Sequence, residues 1–139
     1  MNSIIFTVQG DPKGKGRPRI TTRGKFATMY QPKETVNWEN WIKVCFQQEM
    51  AKTGFQPILE GAISVDITCY FAYPKSLSQK KRNGMVYVTK KPDADNIFKL
   101  MDALNGLAWH DDAQIARGHC EKIYDPEGNA RTVITIRAL

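Results

Sequence analysis

Acid is concentrated in two short stretches of this chain. Lys91-Pro92-Asp93-Ala94-Asp95-Asn96-Ile97-Phe98-Lys99 is followed by Trp109-His110-Asp111-Asp112-Ala113-Gln114 in a protein whose formal net charge is +6. Carboxylates at such spacing can hold a hard divalent cation, while the basic remainder draws in a polyanion. That combination is what a metal-dependent enzyme acting on phosphodiesters requires. One aspartate at 93 or 95 could simply cap a helix. Capping does not account for two, separated by one residue, with Lys99 one turn after Asp95 on the same helical face. Straddling a strand-to-helix junction, Asp93 and Asp95 can converge on a point outside the helix. Lys99 would project toward that point, to neutralise charge developing in a transition state or to orient a water. Asp111 and Asp112 enter a strand, where neighbouring side chains face opposite ways, so one of the two should reach the same point. Asp102 reads as a helical salt-bridge partner. The spacing is not an EF-hand, because Ile97 stands where a third oxygen ligand belongs. His110 and His119 are not paired at ligand spacing, and Cys45, Cys69 and Cys120 read as buried free thiols rather than a zinc site.

The elements that must position these residues are legible from periodicity. A helix is predicted over 93–105, with Ile97, Leu100, Met101 and Leu104 as its apolar stripe and Gly106 beyond its end. Ile4, Phe6 and Val8 alternate as a first strand, stopped at Gly10-Asp11-Pro12. From Pro32 a helix is predicted, with Trp38, Trp41, Ile42, Cys45 and Phe46 as its core face and Gly54 past its end. The clearest strand is 62–73, with Ile63, Val65, Ile67, Cys69, Phe71 and Tyr73 on one face. Asn83-Gly84 reads as a hairpin turn into a short strand over 85–89. Residues 114–124 and 131–138 read as a terminal hairpin around Asp125-Pro126-Glu127-Gly128-Asn129.

Two basic segments flank the acid. Lys13-Gly14-Lys15-Gly16-Arg17-Pro18-Arg19, continuing through Arg23 and Lys25, contains no acidic residue and reads as a loop whose glycines let the backbone approach phosphates. It does not fit a P-loop. Phe26 and Tyr30 beside it could stack on bases. Lys75, Lys80, Lys81 and Arg82 form the second segment, which reads as a clamp on a substrate backbone or as a plain surface loop.

The two acidic stretches resemble the RusA endodeoxyribonucleases, resolvases of Holliday junctions found in phages and prophages. The family pattern is a D-x-D-N-x-x-K helix start and a later W-x-D-D-A-Q segment, both present here between 92 and 114. The resemblance implies a homodimeric, magnesium-dependent nuclease that cuts four-way junctions symmetrically. It places Asp93, Asp95 and Asp112 at metal-ligand positions and Lys99 at the catalytic lysine, with Asp111 at a further acidic position. Manganese is an expected substitute for magnesium, and no small-molecule cofactor is implied. The loop over 13–19 is similar to phage members and differs from that of the prototype.

The expected architecture is one α/β (α+β) domain over 1–139. It comprises a small mixed sheet, built from the first strand, 62–73 and the terminal hairpin, with two helices packed on it. No apolar run reaches membrane-spanning length and no secretory signal is visible, so a cytoplasmic protein with no membrane partner is expected. Lys13, Lys15, Arg17, Arg19, Arg23, Lys25, Lys80, Lys81 and Arg82 are the expected DNA contacts. The competing readings are a non-catalytic branched-DNA-binding protein and a metal-dependent nuclease of flaps or other branched DNA. Clustered carboxylates argue against the first, because they repel phosphates unless a cation intervenes.

Overall fold

The computed structural model describes residues 2–22, 24 and 26–139. Its strands and helices are β1 (Ser3–Gln9), β2 (Arg19–Thr21), β3 (Thr28–Tyr30), α1 (Lys33–Thr53), β4 (Ile63–Phe71), α2 (Gln79–Arg82), α3 (Ala94–Phe98), β5 (Ile115–Tyr124) and β6 (Arg131–Ala138), with 3₁₀ helices at Lys99–Leu104 and Asp112–Gln114. The main sheet has the order β1-β6-β4-β5. β6 runs antiparallel to β1 and β4, while β5 lies parallel to β4. The sheet is therefore mixed, as expected.

β4 is the centre because its alternating side chains are the most completely apolar in the chain. Ile63, Val65, Ile67 and Cys69 are wholly buried, and a fully buried aliphatic of this size contributes roughly 1.5–3 kcal/mol. Against them pack Ile4, Phe6 and Val8 of β1, Ile134 and Ile136 of β6, and Trp38, Ile42, Cys45 and Phe46 of α1. Phe46 makes edge-to-face contacts with Phe6 and Phe55 at 5.5 and 6.0 Å. Pro32 stands at the N-cap of α1, and Gly54 closes the helix in the left-handed conformation (φ 71°), which a glycine adopts without strain. Trp41 departs from the expected core face: it is 40% exposed, and its indole N–H donates to the Gln9 carbonyl at 3.0 Å. All three cysteines are free thiols, with Cys120 only half-buried.

The terminal hairpin does not form. β5 and β6 are separated by β4, and the turn between them steps across the end of that strand. The Asp125 amide donates to the Phe71 carbonyl at 2.8 Å, and Arg131 grips the Asp125 carboxylate at 2.8 Å. Residues 85–89 do not form a strand but make a single bridge, Tyr87 to Ile123. Asn83-Gly84 follows the short helix α2 instead of turning a hairpin. The basic loop, expected to be irregular throughout, contains the β2–β3 ribbon. The helix predicted over 93–105 is α3 continued by the 3₁₀ helix to Leu104, with Gly106 at φ 78° beyond it.

α3 is seated on β5 through one close contact. A Cβ at Gly118 would lie 2.6 Å from the Phe98 ring, so the strand has no side chain where the helix end rests. Gly118→Ala is expected to cost about 1–3 kcal/mol by overpacking and to displace Phe98 and the neighbouring Lys99. The midpoint of urea unfolding measures the first effect. No described helix is long and apolar enough to cross a membrane.

Candidate active site

Asp93 sits just before α3 with extended backbone (φ −70°, ψ 144°), and its carbonyl accepts the Ile97 amide while its carboxylate makes no cap bond. The capping account of this residue is thus not realised, and the carboxylate is exposed and uncommitted. Its approach is fixed from β5. The Lys122 ammonium donates to the carbonyls of Lys90 and Pro92 at 2.7 and 2.8 Å, and the Lys91–Pro92 peptide is cis. Asp95 and Lys99 form the expected i,i+4 pair, but at 3.8 Å and with side chains 71% and 63% exposed. A pair that long and that open in water is weak, so both groups remain available.

The second acidic stretch is mostly scaffold. Trp109 is completely buried and donates its indole N–H to Asn105 Oδ1 at 2.7 Å. The amide nitrogen of Asn105 then reaches Asp111 at 3.4 Å and Asp112 at 3.3 Å. Asp111 caps the turn Asp112–Gln114: its carboxylate accepts the Ala113 amide at 3.1 Å, and Gln114 returns the capping-box bond to the Asp111 amide at 3.0 Å. Gln114 also donates to the carbonyls of Ile58 and Gly61. Among the described residues both Asp111 oxygens accept hydrogen bonds, from Ala113 and Asn105, whereas Asp112 accepts one, from Asn105.

Hard oxygen donors on neighbouring segments have the right chemistry for magnesium or manganese. Among the described residues, however, no three His, Cys, Asp or Glu side chains lie close enough together to hold an ion as they stand. His110 contributes its backbone amide to Gln114, and His119 lies 3.4 Å from Glu121 on β5; neither joins the carboxylates.

The basic loop is brought to Asp93. A cleft of about 710 Å³ is lined by Gly14, Lys15, Gly16 and Arg17 on one side and Lys91, Pro92, Asp93 and Asn96 on the other. Lys13, Arg17 and Arg19 line an adjoining hollow of about 430 Å³ at the start of α1. Lys15 lines the cleft while its ammonium is bound to Asp102. Arg23 and Lys25 lie outside the described residues. Lys80 and Lys81 are exposed on α2, away from the cleft lining. Arg82 is committed locally, donating to the carbonyls of Leu77 and Pro74 and lying over the Tyr73 ring. Asp102 thus pairs with a loop lysine rather than within its own helix.

Beside Lys15 and Asp102 sits Glu39 of α1. Burial pushes its carboxyl above the ordinary value of 4.5; Lys15 and Lys43 oppose this, and Asp102 adds to it by charge and by a shared hydrogen bond. The unfolded chain then ionises Glu39 at a lower pH than the folded protein does, so the folded state binds the extra proton. Stability contributed by this group is present below 4.5 and falls as pH rises through the window above it. Glu39→Gln is expected to remove that slope, with thermal melting across pH as the measurement.

Asn105, Lys122, Gln114 and Gly118 escaped the sequence reading as functional residues. Lys122 carried a signal, a cation at an inward position of β5 in step with Gly118 and Cys120. Asn105 looked only like a helix end.

A cleft with a basic loop on one wall and Asp93 on the other, beside a small mixed sheet, is suited to a polyanion. The family model described as Endodeoxyribonuclease RusA matches residues 9–137. The chain belongs to the RusA endodeoxyribonuclease family, as its two motifs implied, and is by that membership an endodeoxyribonuclease of the Holliday-junction type. It is also similar to a protein of Bacillus subtilis (strain 168) named "Uncharacterized protein YqaN", with 33% identity over 141 residues and 96% of each chain covered.

Proposed function

We propose that the protein is a magnesium-dependent resolvase that cuts Holliday junctions in paired, symmetric strokes during DNA recombination and repair. The observation that carries this reading is Asp93, which makes no cap bond, on the wall of a cleft whose other wall carries Arg17. Asp95 on the following helix is in only a weak pair with Lys99, and Asp112 on the second acidic stretch is bonded by Asn105. Carboxylates left free of caps and strong ion pairs at the mouth of a basic cleft are costly beside phosphate unless a cation is shared between them.

Asp93, Asp95 and Asp112 would hold the ion or ions. A divalent ion held by these carboxylates would supply an activated water and charge compensation for the attacking and leaving oxygens. The chain's own residues do the rest. Lys99, free of a strong partner, compensates the charge that grows on the phosphoryl oxygens. Asn105 fixes the direction of the Asp112 carboxylate, and Lys122 fixes the segment that delivers Asp93. Arg17 and Arg19 hold the scissile strand by its backbone, without reading its bases. A four-way junction presents two equivalent strands, so a twofold homodimer carries one site to each. A cytoplasmic, prophage-encoded protein is the setting this activity suits.

The test is cleavage of a synthetic mobile four-way junction beside linear duplex and a flap, with magnesium, manganese or chelator. Paired symmetric nicks confined to the junction and lost in chelator are expected. Equal cutting of the flap would replace the resolvase by a general branched-DNA nuclease. Tight junction binding with no cleavage in any divalent metal would leave a binding protein.

A further inference from the structure

A partly buried charge cluster that the proposed chemistry does not use lies beneath the basic loop. Lys15 is flanked by Gly14 and Gly16, and its side chain is 19% exposed. Its backbone amide donates to the Asn96 carbonyl inside α3 at 2.8 Å, and the next amide, of Gly16, donates to the buried Thr35 hydroxyl at 3.0 Å. The flanking glycines are required by contact. A Cβ at Gly14 would lie 3.0 Å from Pro92 and 3.1 Å from Asn96, and one at Gly16 would lie 2.8 Å from the Thr35 hydroxyl oxygen. The loop is thus pressed between the start of α1 and the start of α3, the helix that carries Asp95.

Lys15 is the bolt through this joint. Its ammonium binds one oxygen of Asp102 on the 3₁₀ helix. The other Asp102 oxygen is buried with no hydrogen-bond partner among the described residues. Glu39 of α1 lies beside both Lys15 and Asp102. Three elements meet at one point: the loop with Lys15, α1 with Glu39 and the active-site helix with Asp102.

We infer that Lys15 is a positioning residue, clamped by Asp102 beside Glu39, that docks the basic loop against α3 so that Arg17 lies across the cleft from Asp93, and that it makes no phosphate contact itself. The inference rests on the nuclease reading for the meaning of the cleft, but the docking can be measured without cleavage.

The experiment compares full-length wild type, Lys15→Met, Arg17→Ala and the exchange Lys15→Asp with Asp102→Lys. The readouts are amide hydrogen exchange at positions 15 and 16, the salt dependence of four-way-junction binding, and junction cleavage. Lys15→Met is expected to speed exchange at both amides by about tenfold or more, leave the salt slope unchanged and lower kcat. Arg17→Ala should keep the protection and lower the slope by about 1. The charge exchange should restore protection. Asp102→Asn loosens the loop without touching a cation, and serves if Lys15→Met does not fold. A Lys15→Met protein with intact protection and a slope lowered by about 1 would overturn the inference and make Lys15 a phosphate contact. If wild type cuts no branched DNA, the nuclease reading fails, while the exchange rates and the charge swap still decide the docking.

Discussion

In magnesium, Asp93→Asn is expected to cleave a four-way junction about 10²–10³-fold more slowly than wild type while binding it as tightly or more tightly. Among the described residues the carboxylate makes no cap bond and no ion pair, so its removal should leave folding intact. Binding survives because a negative charge is being taken from beside a phosphate path. Asp95→Asn and Asp112→Asn should behave alike. Asp111→Asn is the discriminating control, because its carboxylate is used by the Ala113 amide. That change should weaken the turn by about 1 kcal/mol as a lost cap and retain most of the cutting. Asn105→Ala should cost about 10–100-fold, the usual penalty for removing a group that orients a metal ligand. Single-turnover cleavage beside gel-shift binding reads all five. Equal losses in Asp111→Asn and Asp112→Asn would mean the cap and the ligand are not separate.

The second large effect is in salt. Lys13, Arg17 and Arg19 line hollows continuous with Asp93, and none of the two arginines' guanidinium groups is tied into an ion pair within the described chain. Three such cations from each of two copies would make about six phosphate contacts, enough to weaken junction binding about 10³-fold between 50 and 200 mM salt. Arg17→Ala and Arg19→Ala should each reduce the slope of log K against log salt by about 1. Arg82→Ala should leave it unchanged, since that side chain holds the carbonyls of Leu77 and Pro74. Fluorescence anisotropy over a salt series makes the comparison. A slope that Arg82→Ala lowers as much as Arg17→Ala would move the DNA path toward α2.

Periodicity made the strands and helices legible where an element has one buried face. β1, α1 and β4 were readable for that reason, since the spacing of Ile4, Phe6 and Val8, or of Ile42, Cys45 and Phe46, is itself the record of burial. Neighbours are another matter. The turn at Asp125-Pro126-Glu127-Gly128-Asn129 reverses the chain equally well whether or not a strand lies between its arms, so β5 and β6 looked like partners. Trp41 matched the helical period, yet its indole found a carbonyl at the rim. At the site, the residue types of Asp93, Asp95, Lys99 and Asp112 spoke for themselves. What holds them was harder to read: Lys15 acts through a contact distant in sequence, Lys122 through backbone carbonyls although its inward place on β5 was a signal, and Asn105 through near neighbours in a position that looks only like a helix end.

The parallel pairing of β4 with β5 has a bearing on how the protein is made. Parallel neighbours need a return path, and residues 72–114 are that path, with Asp93, Asp95 and Lys99 within it and Asp112 near its end. Both ends are fastened only when β5 docks on β4, and the other flank of β4 is completed by β6, the last strand of the described chain. Long-range pairing of this kind comes late, because loop-closure entropy is lost before contacts repay it. Asp93, Asp95, Lys99 and Asp112 all precede in sequence β5 and β6, the two strands that complete the frame aligning them. Alignment of these side chains is therefore expected to come with the last steps of folding, when β5 and β6 flank β4, and not with the formation of α3 alone.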